Sequence, residues 1–387
     1  MARVCTVRWL WLMLGALLAA PAGAAEPDAA RDATRARMGQ LVEALRVALP
    51  LSLRPEDFAA EPNRARLETA LRQLRDGATA LSDHARGRDV GFVHLSSTLA
   101  RDAHEIEHRF QTGRVDEARF LLGELSDDCV ACHSRLPYGQ DSELGRTLWN
   151  AVDVSALPPD QRVRLQVATR QFGPALQGYE SLLGSDLVPP AQLDLGGDLS
   201  DYLAIAVRVK GELPRARRHL DSWRRREDLP AYLAELTGIW VDALASLDVP
   251  TPPGAELARA KTVLEEAKRV RRFPADRAGL VHDLVASGLL HRRVSALGAP
   301  TPQSAEAYYL LGVTELRIGS SYWLTEPESY LEAAIRAAPG SAPARQAYVV
   351  LEESTLTGYT GSGGAGELPP EVASWLAELR RIALRRP

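Results

Sequence analysis

The sequence predicts an all-α chain, and three observations carry that expectation. Apolar residues recur at three- and four-residue spacing, the period of a helix with one buried face. Alternating patterns that would mark half-buried strands are scarce. Ala, Leu, Arg and Glu dominate the composition, and all four are favourable in helices. A length of 387 residues suggests two domains rather than one, and the texture of the chain changes after Pro137.

Residues 1–24 read as an export signal, with Arg3 and Arg8 as a basic start, Trp9 to Ala20 as an apolar run and Ala22-Gly23-Ala24 as a small-residue cleavage site. The apolar run is too short for a bilayer, which takes roughly 20 residues. No transmembrane segment is therefore expected in the mature chain, an uncleaved anchor being the alternative. Cys5 precedes the run and is not placed like a lipoprotein cysteine. Loss of Arg3 and Arg8 moves the formal charge from −4 to about −6. That mildly acidic balance argues against nucleic acid as a partner.

Residues 28–136 divide into four amphipathic helices. Met38, Leu41, Val42, Leu45 and Ala48 share a face of the first, which Pro50 is expected to end. Leu67, Leu71, Leu74, Ala78 and Leu81 line the second, between Pro62-Asn63 and Gly87. Phe92, Leu95, Leu99, Ala103, Ile106 and Phe110 line the third, which starts near Asp89. After a tight turn at Thr112-Gly113, the fourth carries Ala118, Leu121, Leu122, Leu125, Cys129 and Cys132 on one face, and Pro137 stops it. So short a connection predicts antiparallel packing of the last two, with both cysteines pointing into the core at its base.

Cys129-Val130-Ala131-Cys132-His133 is a C-x-x-C-H pentapeptide. Two thiols three positions apart can each add across one vinyl group of a haem, and the next histidine is then held beneath the iron. The chain has three cysteines, so with Cys5 in the signal the mature protein uses both of its own here. A zinc half-site is one rival, but zinc normally takes four ligands and no second Cys or His pair follows. A redox dithiol is the other, but it would follow a strand in a βαβ unit, and no strand pattern surrounds the motif. One covalently attached haem c is the expected cofactor. Covalent attachment in bacteria takes place outside the cytoplasm, which agrees with export and makes the periplasm the expected location.

Four helices with C-x-x-C-H near the end of the fourth resemble the class II c-type cytochromes, the cytochrome c′ family and its low-spin relatives. Ordinary cytochrome c is a poorer match, because its motif lies near the N-terminus. The resemblance implies a four-helix haem bundle over residues 25–139, tethered through Cys129 and Cys132 with His133 as the proximal iron ligand. It also implies a first-helix residue over the open face of the haem, and the matching position is Met38. A methionine there gives a six-coordinate electron carrier; an apolar residue gives a five-coordinate, gas-binding haem. Met38 lies on an apolar stripe, so plain core filling is its other reading. Five of the eight histidines fall between residues 84 and 133. His94, His104 and His108 lie off the inner stripe, and His104 with His108 reads as a solvated face or a surface metal clip. His84, near the haem end, remains a candidate ligand.

Residues 140–357 contain paired helices that resemble tetratricopeptide repeats. The clearest unit is Tyr202 to Trp223, with Leu203, Ala204, Val207, Gly211, Ala216 and Leu220 at its packing positions. A second has Tyr308, Leu311, Gly312 and Gly319, an insertion at Ser320–Thr325, a helix around Leu331–Ala338, and Pro339. Degenerate units lie at 165–183, 231–272 and 276–296, and a generic helical-hairpin array is the alternative. Gly361 to Gly366 matches G-x-G-x-x-G by letter, but no strand precedes it, so 358–368 reads as a flexible loop. A last helix within 369–387 would cap the array. No nucleophile triad or carboxylate pair is evident, so an enzyme is not expected. The expected function is electron transfer by an exported mono-haem cytochrome, with the repeats, expected to be separable, docking other exported redox or assembly proteins. A gas-binding haem protein and a haem-stabilised assembly scaffold are the alternatives.

Overall fold

The computed structural model describes residues 28–135, 139–273, 276–319, 326–360 and 367–385. The export signal, Pro137, the Ser320–Thr325 insertion and Gly361 to Gly366 lie outside them. Every regular element among the described residues is helical. The first part holds α1 (Asp28–Ser52), α2 (Pro55–Ala59), α3 (Glu61–Ala85), α4 (Val90–Gln111) and α5 (Val115–Arg135). Then come α6 (Glu143–Trp149), α7 (Pro159–Ala168), α8 (Phe172–Leu183), α9 (Pro190–Leu195), α10 (Asp198–Leu203), α11 (Leu213–Trp223) and α12 (Ala231–Leu247). The chain finishes with α13 (Glu256–Val270), α14 (Leu280–Leu297), α15 (Ala305–Ile318), α16 (Glu326–Ala337), α17 (Ala342–Thr360) and α18 (Pro370–Ala383). Among the described residues no helix is long and apolar enough to cross a membrane.

The long helices α1, α3, α4 and α5 pack in chain order, and α5 returns to α1. The stripes anticipated from spacing supply most of their core: Leu41 and Ala48, Leu67 to Leu81, Phe92, Leu99, Ala103, Ile106 and Phe110, and Ala118, Leu122 and Leu125 are buried. Asp89 caps α4, its Oδ1 accepting from the Phe92 amide at 3.0 Å, which satisfies one of the orphan donors of the first turn. Gly113, at φ 81°, makes the tight reversal into α5 that a side chain would strain.

Two details differ from the expectation. Pro50 lies inside α1 and does not end it. So near the terminus it removes a single amide donor, and the Ser52 hydroxyl donates to the Leu49 carbonyl at 2.7 Å. The helix α2 is too short to show a period, yet its Phe58 is 1 % exposed and meets the Phe110 ring edge-on, centroids 5.6 Å apart.

Beyond residue 140 the helices pair as hairpins, α7 with α8, α11 with α12, and α13 through α17 each with the next. Tyr202, Leu203, Val207, Ala216 and Leu220 are buried as their spacing suggested. The first arm of that hairpin passes from α10 into a π-helical stretch, Ala204–Val209. At Gly312 a Cβ would come within 2.7 Å of Leu331, so glycine permits α15 and α16 to touch.

Apolar packing crosses residue 139 in both directions. Leu95, Val130 and Ala131 belong to the core of the later helices, while Leu148, Val152 and Leu165 join the core of the first ones. A Cβ on Gly91 of α4 would overlap the Tyr330 hydroxyl of α16, and His94 Nδ1 lies 2.9 Å from Ser329 Oγ. A fragment of residues 140–387 should therefore show a lower thermal midpoint and less helix per residue by circular dichroism than the full chain. A fragment as stable as the full chain would show that this packing is dispensable.

Candidate functional site

Cys129, Cys132 and His133 occupy the last two turns of α5. At about 100° per residue they share one arc of the helix surface. The neighbouring face is pinned, since Val130 and Ala131 are buried against the later helices. Both cysteines are free thiols, half-buried, and pack at the margin of that same core. On α5 they continue the stripe of Ala118, Leu122 and Leu125, and the core they border takes in Leu95 of α4 as well as the later helices. The end of α5 also runs beside α7 and the π-helical stretch Ala204–Val209.

The His133 ring is oriented by α7. Its Nδ1 lies 2.9 Å from the Ala168 carbonyl oxygen. A carbonyl only accepts, so Nδ1 carries the proton and Nε2 keeps its lone pair. Burial, and after it the Arg170 guanidinium, pushes the imidazole down to about 3, leaving the ring neutral at physiological pH. The turn after Ala168 is strained, with Arg170 at φ 54° as the one non-glycine residue in the left-handed region among those described. Burial, with the Asp128 carboxylate next, pushes the Cys129 thiol up to about 12. Burial, with Glu326 next, does the same at Cys132, also to about 12. Neither thiol is poised as a thiolate, the nucleophile of a redox dithiol.

The other candidates separate. Met38 is half-buried against the core of the first helices, a different apolar cluster from that of the cysteines. Thr34, one turn before it, lies 3.0 Å from His84 Nε2, so the start of α1 and the end of α3 meet. Arg88 also approaches that nitrogen, at 3.4 Å, and His84 is thus engaged locally. His94 faces α16, while His104 and His108 are exposed. Among the described residues no group of three or more His, Cys, Asp or Glu side chains is set to hold a metal ion.

Directly after His133, a buried ionic cluster begins that periodicity did not reveal. Arg135 pairs with Glu326, and Arg208 of the π stretch pairs with Glu315 at 3.2 Å. Arg208 Nε also donates to the Ser134 carbonyl at 2.8 Å, and Arg135 Nη1 to the Ala131 carbonyl at 2.9 Å. Ser287 and His291 of α14 hydrogen-bond Glu315, and the Tyr330 hydroxyl donates to Glu326. Burial favours the neutral acid at Glu315, but Arg208, His291 and Arg135 outweigh it and hold this carboxyl well below the usual range. The readable signal was Glu315 itself, a charge on the apolar stripe of Tyr308, Leu311 and Gly312.

No protein-family model, curated protein or solved structure matches this chain. Removing one partner of a buried ion pair leaves the other uncompensated, so Arg208→Ala should lower stability by about 3–5 kcal/mol, read from urea denaturation. A loss of a few tenths would mean that the pair is solvated in solution.

Proposed function

We propose that this chain is an exported, periplasmic cytochrome carrying one haem c, bonded through Cys129 and Cys132 and ligated by His133, that transfers single electrons. The observation that carries the reading is the tether from His133 Nδ1 to the Ala168 carbonyl. It selects the tautomer with Nε2 free and fixes the ring plane, the usual arrangement for a metal-bound histidine. Two free thiols on the same helical arc complete a donor set that fits a covalently held haem on its proximal side. When bound, the haem supplies a one-electron iron couple.

The chain's own residues do the rest. Ala168 orients the ligand, the Arg170 charge opposes a proton on it, and buried Val130, Ala131 and Leu95 keep water from one side of α5. In this reading residues 25–139 form the four-helix bundle of a class II c-type cytochrome, and 140–357 a tetratricopeptide-like array that docks other exported redox or assembly proteins. The helix α17 runs on through Thr360, past the expected start of a loop at 358, and the capping helix lies within 369–387. Met38 is the candidate distal ligand. Its packing in a different cluster from the cysteines favours a second reading, an open-faced haem that binds small gases.

Protein purified from a host that attaches haem c should carry one haem covalently by mass spectrometry, and Cys129→Ala with Cys132→Ala should abolish it. A chain that leaves such a host without haem would overturn the proposal. If Met38 ligates, Met38→Ala should keep the haem, turn the iron toward high spin, admit carbon monoxide and lower the potential. Loss of stability alone, about 2–5 kcal/mol for a methionine cavity, with an unchanged spectrum assigns Met38 to packing. Wild-type protein that binds carbon monoxide readily favours the gas-binding reading.

A further inference from the structure

A cavity of about 230 Å³ lies on the other side of α5 from the thiols. Val130 and Ser134 of α5, Val167 of α7, Tyr179 of α8 and Leu280 of α14 wall it, and Asp201 of α10 lines it. It is smaller than the roughly 300–1,000 Å³ of drug-sized sites, with room for about seven or eight waters.

The charges around it do not balance. Arg208 is matched by Glu315 and Arg135 by Glu326. Arg164 is matched by Asp127 at 2.7 Å, and Arg277 by Asp194 at 2.7 Å. Asp201 has charge interactions alone, attractive from Arg164 and Arg208 and repulsive from Asp198 and Asp127. Asp201, half-buried in a pocket open on one side and lined also by the paired Arg135 and Arg208, is thus left over after its neighbours have paired.

The backbone singles out the same wall. Ala204, Ile205 and Arg208 line the cavity from the π-helical stretch, where the Lys210 amide reaches the Ile205 carbonyl, five residues back, at 2.9 Å. Such turns are rare and frequent at functional sites.

We propose that this cavity binds a compact organic monocation, an alkylammonium or amidinium of up to about eight heavy atoms, with Asp201 as its counter-ion. Val130, Val167 and Leu280 line the side that would take its carbon part. A bare hard cation fits poorly, because it wants six or more oxygen ligands and much of the wall is apolar. Burial holds the Asp201 carboxyl up at about 6, so the site loses its charge on acidification. The site stands apart from the haem reading and survives or fails without it.

Calorimetric titration of the full chain with n-butylammonium chloride tests the proposal, with sodium butyrate and potassium chloride as controls. One saturable site for n-butylammonium is expected, weakened at least tenfold by Asp201→Asn and weakening in the wild type as pH falls through about 6. Ala204→Phe, which keeps Asp201 and fills the space, should abolish binding with helix content unchanged, so the result does not hang on one variant. Absence of saturable binding, equal affinity in Asp201→Asn, or preference for butyrate or potassium overturns it.

Discussion

Arg135, two residues beyond His133, is 7 % exposed, and Glu326 opposite it is fully buried. A charge in that position is tolerable only when its partner and its hydrogen bonds are in place, because desolvation costs several kcal/mol per ion. Arg208 and Glu315 meet that condition, with Ser134, Ser287 and His291 supplying hydrogen bonds; Arg135 and Glu326 face each other as an ion pair, Arg135 also donating to the Ala131 carbonyl and Tyr330 to Glu326. The partners come from α5, the π stretch, α14, α15 and α16, so misplacing any of these segments strands a buried charge. Apolar side chains of similar volume would hold the same helices at equal or lower cost. What the ions add is a single permitted arrangement, and it lies next to the C-x-x-C-H motif.

The two buried carboxylates respond to pH in opposite senses. Glu315 is held low, chiefly by Arg208 against the effect of burial. Its contribution to stability is present above the ordinary glutamate range and lost as pH falls. Glu326 is raised by burial, with Glu315 adding to the effect. Its contribution is present at low pH and lost as pH rises. The two windows lie on opposite sides of the ordinary glutamate range, so the pair's joint contribution peaks near that range and falls both on acidification, through Glu315, and on alkalinisation, through Glu326.

Local rules sufficed for much of this structure. Leu67, Leu71, Leu74 and Leu81 repeat at helical spacing, and each is buried; Asp89 and Gly113 mark real ends. The C-x-x-C-H triplet could be found from its letters alone. What packs beside it could not, because the end of α5 runs beside α7 and the π stretch, partners distant in sequence that no heptad count includes. The Ala168 acceptor was invisible for the same reason, since a backbone carbonyl has no letter of its own. Glu315 and Glu326 were legible only as charges in unexpected places, and their partners depend on tertiary contact.

The π-helical stretch at Ala204–Val209 amounts to one residue more than an α-helix needs over the same span. Residues on its two sides are therefore out of phase by about 100°. Deleting one position there would restore a continuous α-helical ladder and turn Arg208 relative to Asp201 by that angle. Arg208 both lines the pocket and reaches Glu315, and the surplus residue between it and Asp201 sets the angle at which one helix carries these two charges.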